Sequence, residues 1–179
     1  MASPDFDAPP LTLRRASLTD LAALDDLLAR AYGSQLAVDY PPSLLVTAVP
    51  LIARAQPRLL TSGSYFVVED AEGVLRGAGG WTATLPGQDR RIMRGRGNVR
   101  HVVTDTAWTR RGIGRRIVER AMEGARKAGM TWMHCTATRT AVPFYTALGF
   151  RALRGVTVPL APGIAFPAIE MRAELQPGP

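Results

Sequence analysis

The chain is poor in cysteine and in long apolar runs. Its single cysteine, Cys135, excludes a disulfide within one chain, and its place in the apolar run 130–136 predicts a buried structural thiol. The most apolar stretch, residues 44–55, contains Pro50 and Arg54 and is too short to span a membrane. The first ten residues carry two Asp and no hydrophobic block, so we expect no signal peptide and a cytoplasmic protein.

Two familiar phosphate-binding motifs are missing as well. The chain has no Gly-x-x-x-x-Gly-Lys-Ser/Thr motif, which binds nucleoside triphosphates. It has glycines at 112 and 114, but Ile117 stands where the dinucleotide fingerprint has its third glycine or alanine. These absences argue against both ATP and NAD.

The glycine pair nevertheless lies in a setting that binds a pyrophosphate. It belongs to Thr109-Arg110-Arg111-Gly112-Ile113-Gly114-Arg115-Arg116, which follows an apolar strand at 102–104 and opens an amphipathic helix. Glycine lets the backbone approach an anion, and the free N–H groups and positive dipole of a helix's first turn attract it. We therefore expect a phosphorylated cofactor here.

The positive charge of the chain is concentrated near this turn. The chain has 22 Lys and Arg against 15 Asp and Glu, a net charge of +7. Five arginines lie around the glycine turn, at positions 110, 111, 115, 116 and 120, which suits a cofactor with several negative charges. No aromatic-interleaved basic stripe or helix-turn-helix motif is present, so no nucleic-acid partner is expected.

A second motif, in the correct order and spacing, identifies a family. The turn matches Gln/Arg-x-x-Gly-x-Gly/Ala, with Thr109 at the first position, and Phe144-Tyr145-x-x-Leu148-Gly149-Phe150 matches Phe-Tyr-x-x-Leu-Gly-Phe. With both motifs, the chain resembles the Gcn5-related N-acetyltransferase (GNAT) superfamily. Thr109 departs from the family pattern and is a candidate N-cap instead.

The resemblance implies an α/β (α+β), single-domain GNAT fold. Its mixed, mostly antiparallel central sheet has about seven strands flanked by about four helices, with strands four and five splayed at the cofactor site. We expect this domain over residues 10–175, with disordered ends at 1–9 and 176–179. The sequence patterns predict strands at 11–15, 65–68, 74–84, 98–105, 131–136, 150–158 and 164–174, and helices at 17–33, 44–55, 112–128 and 141–148.

Two further local predictions concern loops and prolines. Residues 86–97 are predicted to form a polar loop. Pro159 and Pro167 are predicted to mark strand edges or bulges, because proline cannot donate to a ladder.

The resemblance also implies acetyl-CoA as the cofactor and no metal. Backbone groups of strand four would hold the pantetheine and polarise the thioester carbonyl. Tyr145 matches a tyrosine that protonates the departing thiolate, with a core aromatic as the alternative. The implied cofactor-binding residues are Val102, Val103, Thr104, Thr109, Arg110, Arg111, Gly112, Ile113, Gly114, Arg115, Thr138, Ala141 and Tyr145.

The general base is not evident from the sequence. Family members with a strand-four carboxylate or imidazole carry it at positions matching Asn98 and Arg100, and neither side chain can serve. His101 is one residue out of phase, so strand alternation turns it to the opposite face unless a bulge intervenes. We therefore expect a structural histidine at 101, with a water relay or a neutral acceptor amine replacing a protein base; His134 has a weaker claim.

The implied acceptor site lies between the first two helices and the last two strands. It includes Tyr32, Tyr40, Trp81 and Phe166, which suggest a modest organic acceptor, although core packing explains each nearly as well. No acidic cluster is present in the sequence, which argues mildly against highly cationic acceptors.

The predicted function is N-acetyl transfer from acetyl-CoA to a primary amine of a small acceptor, by direct attack in a ternary complex. The alternative is an acyl-CoA-binding sensor or interaction module of the same fold with little catalysis. A homodimer is an open alternative for its assembly.

Overall fold

A seven-stranded sheet forms the centre of the computed structural model, which describes residues 10–176. The strands of the described residues are β1 Thr12–Arg15, β2 Tyr65–Glu69, β3 Leu75–Thr82, β4 Thr84–Leu85, β5 Gln88–Ile92, β6 Arg96–Thr104, β7 Trp132–Ala137, β8 Arg151–Ala161 and β9 Ile164–Glu174. The sheet order is β1-β2-β3-β6-β7-β9-β8, and only the β6–β7 pair is parallel. The predicted mixed, mostly antiparallel sheet of seven strands is confirmed. The predicted disordered N-terminus and residues 177–179 lie outside the described residues.

The helices are slightly more numerous than predicted. The α-helices of the described residues are α1 Leu21–Leu36, α2 Pro42–Ile52, α3 Pro57–Leu60, α4 Ile113–Lys127 and α5 Val142–Thr146. Short 3-10 turns lie at 18–20, 106–108 and 139–141. No helix within residues 10–176 is both long enough and apolar enough to cross a membrane. The single-turn α3 accounts for the fifth helix.

Helix α1 does not end at Gly33, as the sequence predicts, but continues to Leu36. A helical glycine costs about 1 kcal/mol relative to alanine. Leu36 is 2% exposed, and burying a leucine side chain gains about 2 kcal/mol. The buried residue at the end of the helix therefore outweighs the glycine inside it.

The helices cover the two faces of the sheet. Helix α4 packs on one face, called the α4 face, against a core that includes Trp81 and Met133. Helices α1 and α2 pack on the opposite face, called the α1 face, over residues such as Phe166. Val67 and Val68, adjacent in β2, join clusters on opposite faces, as strand alternation requires.

A hairpin replaces the predicted polar loop at 86–97. Strands β4 and β5 pair antiparallel, with Thr84 opposite Ile92. Gly87, between them, has a φ of +73°, a left-handed conformation that glycine adopts without a steric cost. Residues 88–92 are too polar to produce the alternating apolar pattern on which a strand prediction depends.

The two prolines of the last hairpin lie where predicted. Pro159 adjoins a register shift in β8, which is one of the two edge strands of the sheet. Pro167 lies in β9 beyond Ile169, the last β9 residue on that side that pairs with β7. At that point β9 has only β8 beside it, so the proline removes no hydrogen bond to β7.

Candidate active site

The two parallel strands in the middle of the sheet separate partway along their length. Strand β6 pairs with β7 only over three residues, from Arg96 opposite Trp132 to Asn98 opposite His134. From Val99 onward, β6 pairs with β3 alone. The space between β6 from Val99 and β7 from Cys135 is called the cleft below. Within the described residues, the backbone groups on this edge of β6 have no partner strand. The Thr104 carbonyl accepts the Gln35 side-chain amide at 2.8 Å, and the other groups of this edge are open to a ligand.

The turn before α4 lies next to the end of β6. Arg110 and Gly112 have φ values of +65° and +76°, and Gly112 is the N-cap. The N–H of Arg116 donates to the Gly112 carbonyl at 3.0 Å, so the N–H groups of residues 113–115 precede the first helical bond. Free N–H groups at a helix start, together with left-handed turn residues, form an anion site.

Gly114 lies where three parts of the site meet. A Cβ at this position would lie 3.0 Å from the Phe144 ring and 3.4 Å from the Thr104 hydroxyl. The end of β6, the first turn of α4 and the start of α5 are therefore in contact. The structure brings the two sequence motifs together, although 30 residues separate Gly114 from Phe144.

Thr109 does not cap the helix. Its hydroxyl donates to the Thr106 carbonyl at 3.1 Å, and the N-cap is a glycine, so the N-cap prediction is wrong. The side chain of Thr109 helps to close the turn at 106–108 instead.

The arginines of the turn form an exposed positive rim. The Arg111 guanidinium lies 4.6 Å from the centre of the Trp108 ring, and Arg115 pairs with Glu119 at 3.3 Å. Arg110 is exposed, and no ion pair holds it in the part of the chain that the structure describes. Such arginines are free to move onto a charged ligand.

The remaining predicted cofactor residues lie around the cleft. Val102 and Thr104 face the α4 side, where they approach Gly79 and Gly114, whereas Val103 is buried on the α1 face. Thr138 precedes the turn at 139–141, and the half-buried Ala141 packs against the core of the α4 face.

Tyr145 packs as a core aromatic, and its hydroxyl lies near the cleft. Its ring packs edge-on against Phe144 and Phe150, with centroids 5.0 and 5.3 Å away. Its hydroxyl lies near the thiol of Cys135, the first β7 residue beyond the last β6–β7 pair. Burial, and to a smaller degree Cys135, raises the pKa of Tyr145 well above 10. The hydroxyl therefore carries a proton at neutral pH beside the cleft.

Cys135 is a free, buried thiol, as predicted. Burial raises its pKa to about 12, so the reactive thiolate is not populated at neutral pH. Tyr32, on α1, is also near the Cys135 thiol. Burial, and to a smaller degree Cys135, raises the pKa of Tyr32. Tyr32 and Tyr145 are thus both near the Cys135 thiol.

A bulge in β6 moves His101 to the face that simple alternation excludes. Ala78 of β3 lies opposite Val103 and Gly80 lies opposite Arg100, so β6 has one more residue than β3 between these pairs. His101 has a φ of +50° at this point. Its ring lies 5.9 Å from that of Tyr32 and therefore on the α1 face. Asn98 and Arg100 face the same side, so the bulge interrupts the alternation that would otherwise turn His101 to the α4 face.

His101 is anchored on one side of its ring only. Its Nε2 lies 2.7 Å from the Ile52 carbonyl, which requires a proton on Nε2, and its own carbonyl accepts the Tyr65 hydroxyl at 2.8 Å. Nδ1 then carries a lone pair, and it is buried without a partner among the described residues. Burial lowers the pKa of His101, and the nearby Arg100 lowers it further, although Ile52 and Asp25 oppose the shift. The result is a neutral imidazole with an unused acceptor.

The other polar side chains of β6 are structural or cationic. Asn98 is 1% exposed and donates to the carbonyls of Thr82 and Thr84 at 3.2 and 3.1 Å. Arg96 donates to the Asn98 amide oxygen at 2.7 Å. As the sequence predicts, Asn98 offers no base.

Three of the four predicted acceptor aromatics lie on the α1 face. Tyr40 stacks on Phe166 with ring centroids 4.5 Å apart. The Tyr40 hydroxyl donates to the Pro167 carbonyl and accepts the Arg139 N–H, both at 2.8 Å. Tyr40 therefore fastens the α1–α2 connection to β9 and to the turn before α5.

Trp81 lies on the opposite side of the sheet from the other three aromatics. It packs in the core of the α4 face, 3.0 Å from where a Cβ of Gly124 would be. The structure does not bring it to Tyr32, Tyr40 and Phe166, because its position in β3 points its ring under α4. We do not include it in the acceptor site.

The sequence analysis missed the joint placement of Arg100 and His101 on one face. A signal for it was present in β3: a Cβ at Gly79 would lie 2.8 Å from Val102 Cγ2 and 3.1 Å from Val102 Cα. Glycine inside a strand often marks a bulge or a close backbone approach. The run Gly77-Ala78-Gly79-Gly80 therefore indicates that the partner strand is irregular.

Comparisons with known proteins agree with this architecture. Residues 61–152, about half of the chain, match the family model described as an acetyltransferase (GNAT) domain. The match includes the glycine turn and the motif around Tyr145. No curated protein sequence matches the chain.

Solved structures show the same fold at low sequence identity. The GCN5-related N-acetyltransferase from Rhodopseudomonas palustris has a TM-score of 0.71 and 17% identity, over 94% of this chain and 97% of that one. PaiA N-acetyltransferase from Thermoplasma acidophilum, in complex with coenzyme A, has a TM-score of 0.68 and 14% identity, over 92% and 99%. N-acetylglutamate synthase from Neisseria gonorrhoeae, complexed with coenzyme A and N-acetyl-glutamate, has a TM-score of 0.62 and 12% identity, over 95% of this chain and 36% of that one.

Proposed function

The chain belongs to the GNAT acetyltransferase family, and on that premise we propose that it transfers an acetyl group from acetyl-CoA to a primary amine of a small acceptor. The observation that carries the proposal is the separation of β6 from β7 directly beside the first turn of α4. One place thereby offers an anion site, a strand edge with free backbone groups and a cleft between them.

The residues present fit coenzyme A. The N–H groups of residues 113–115 and the exposed Arg110, Arg111 and Arg115 would hold the diphosphate. The free edge of β6 at Val102–Thr104 would hold the amide-containing pantetheine by backbone hydrogen bonds. When bound, acetyl-CoA supplies an activated acyl carbon: a C–N bond forms, the C–S bond breaks, and the amine gives up a proton.

We propose His101 as the group that accepts this proton. The Ile52 carbonyl holds the Nε2–H tautomer, so the lone pair of Nδ1 is the acceptor. The imidazole is neutral at pH 7 because its pKa is lowered by burial, so it need not lose a proton first.

Tyr145 is proposed to donate the proton that the leaving thiolate takes up. Its hydroxyl is protonated and lies at the β7 side of the cleft. The packing of its ring against Phe144 and Phe150 fixes the direction of the hydroxyl, which keeps the donor oriented before substrates arrive. The two proton transfers then occur on opposite sides of the cleft.

The test is thiol release from acetyl-CoA across a panel of primary amines, with CoA binding measured separately by calorimetry. We expect tight CoA binding and amine-dependent thiol release. Binding of CoA with no release from any amine would instead favour an acyl-CoA-binding sensor of the same fold. Absence of CoA binding would contradict both functions.

A further inference from the structure

Among the described residues, two half-buried arginines form no ion pair, unlike comparable arginines elsewhere in the protein. Arg14 and Arg76 are also partly buried, and each forms an ion pair with a carboxylate, at 2.8 and 2.7 Å respectively. Arg96 and Arg100 form no ion pair with any side chain that the structure describes. A partly buried guanidinium without an anion is unusual, because charges that leave water are normally paired.

The contacts of Arg100 orient its guanidinium without neutralising it. Nη1 donates to the Thr82 hydroxyl at 3.0 Å, and Nη2 donates to the Gln56 side-chain oxygen at 3.2 Å. Both partners are neutral: Thr82 is on β3, and Gln56 is the residue before α3. Burial lowers the pKa of Arg100, so the positive charge is held there at a cost.

Arg100 lies at the entrance to the cleft. The last β6–β7 pair involves Asn98, and Val99 faces the α4 side, so Arg100 is the first residue beyond that pair on the α1 face. The bulge places the adjacent His101 on the same face. Arg100, which has no ion pair among the described residues, and His101, whose Nδ1 has no partner there, are therefore consecutive residues of one strand.

The surrounding charges leave this face positive. Arg96 lies on the same face, where it donates to the Asn98 amide oxygen and to the Met93 sulfur and lies 5.5 Å from the centre of the Trp132 ring. The carboxylate of Glu170, on β9, is already paired with Arg154 at 2.7 Å and lies 3.6 Å from His134. Asp25 is engaged with the Ala55 N–H at 2.7 Å.

We propose that the acceptor amine carries an anionic group, a carboxylate or a phosphate, which pairs with the Arg100 guanidinium while the amine faces His101. This inference rests on the proposed transferase function, since it concerns the acceptor of that reaction. A planar guanidinium presents paired N–H donors that match a carboxylate or phosphate, and two of its donors are already fixed by neutral partners. The amine and the anion of such an acceptor would lie within the reach of two neighbouring side chains.

The experiment compares acceptors that differ only in the anionic group. Tyrosine is compared with tyramine, and phosphoethanolamine with ethanolamine, by thiol release from acetyl-CoA. The wild-type protein should acetylate at least one anionic amine with a KM about 30-fold or more below that of its neutral counterpart, as expected for one partly buried charge pair. The carboxylate pair and the phosphate pair separate the two sources of charge.

The variant Arg100→Gln should remove this preference by raising the KM of the anionic amine, with little effect on the neutral one. Arg154→Gln is the matched control, because Arg154 lies on the same face but is already paired. Arg100→Lys should show a preference between those of the wild type and Arg100→Gln. If Arg100→Gln does not fold, the expected result is a reduced preference in Arg100→Lys. CoA affinity, measured by calorimetry, should be the same in all of these proteins.

Two outcomes would overturn the inference and are distinguishable. If the wild type acetylates neutral amines as well as their anionic counterparts, or if Arg100→Gln keeps the preference, the acceptor is not recognised through Arg100, and the transferase function still stands. If no amine of either kind is acetylated although CoA binds, the transferase function fails, and the inference fails with it.

Discussion

Under the proposed function, the two ends of the cleft recognise their ligands by different means. At the α4 end, recognition depends on backbone N–H groups and exposed arginines, all supplied by one contiguous segment, 109–116. At the other end, on the α1 face, recognition depends on Arg100 and His101. Their orientation is set by the bulge in β6 and by contacts from Ile52, Gln56 and Tyr65. In this proposal, local backbone geometry binds the nucleotide cofactor, whereas side chains placed through tertiary structure bind the acceptor.

The largest effect is expected from Gly114→Asp, which tests the α4 end alone. An aspartate here adds a negative charge at the free N–H groups and a Cβ that would lie 3.0 Å from Phe144. Losing two or three charge-assisted hydrogen bonds corresponds to about 4 kcal/mol or more, or about 1000-fold in affinity. Calorimetric titration with CoA should show no measurable binding.

Gly155→Asp is the control for this variant. Gly155 is exposed, and no atom lies within 4 Å of where its Cβ would be, so the same substitution should be harmless. CoA affinity retained in Gly114→Asp would show that the diphosphate binds elsewhere. The turn before α4 would then not be the diphosphate site, and the contrast between the two ends of the cleft would not hold.

The contrast between the two ends also explains what the sequence can predict. The start of α4 and the position of the cofactor turn follow from neighbouring residues, and the structure has the helix within a residue of the prediction. The face of His101 depends on how β6 pairs with β3, and no local pattern in β6 marks the extra residue. The orientation of Trp81 and the partners of Arg100 likewise depend on distant segments.

Elements outside the site are likewise predictable where their sequence signals are local. The seven-strand sheet was predictable because apolar strands and their turns are encoded locally. The polar hairpin β4–β5 was not, because its strands bury little apolar surface and lack the alternating pattern. The end of α1 was misplaced at Gly33 because tertiary burial of Leu36 overrides helix propensity.

His101→Gln tests the other end of the cleft and should have the second largest effect. Glutamine can still donate to the Ile52 carbonyl but cannot accept a proton as a base, so kcat/KM should fall about 100-fold at neutral pH. CoA affinity should not change, in contrast to Gly114→Asp. An unchanged kcat/KM would remove His101 from the reaction and favour an acceptor that binds already neutral.

The pH dependence gives the same residue a second test. Burial lowers the pKa of His101 below 6.5, so the folded protein holds it neutral while the unfolded chain takes up a proton near that pH. Stability from this residue is complete above about pH 6.5 and decreases as the pH falls below it, and kcat/KM should fall in the acid range as well. His134→Gln should keep the acid limb of the rate profile, and His101→Gln should lose it.

Tyr145→Phe should have a smaller effect, because the thiolate of CoA is a fair leaving group without help. We expect turnover to fall only about 10-fold, below the range of about 100-fold or more that is typical of general acid catalysis, with CoA affinity near normal. Thermal unfolding should show a modest loss of stability, since the ring still packs against Phe144 and Phe150. Unchanged turnover would leave Tyr145 as a core aromatic only.

The smallest effect is expected from the double variant Arg111→Ala, Arg115→Ala, because both side chains are exposed and screened by solvent. The Kd of CoA should rise about 3-fold at low salt, and the difference should shrink at high salt. Arg126→Ala, at the far end of α4, is the control and should change nothing. An effect of 100-fold or more would mean that side chains rather than backbone N–H groups dominate the α4 end, and the contrast between the two ends would disappear.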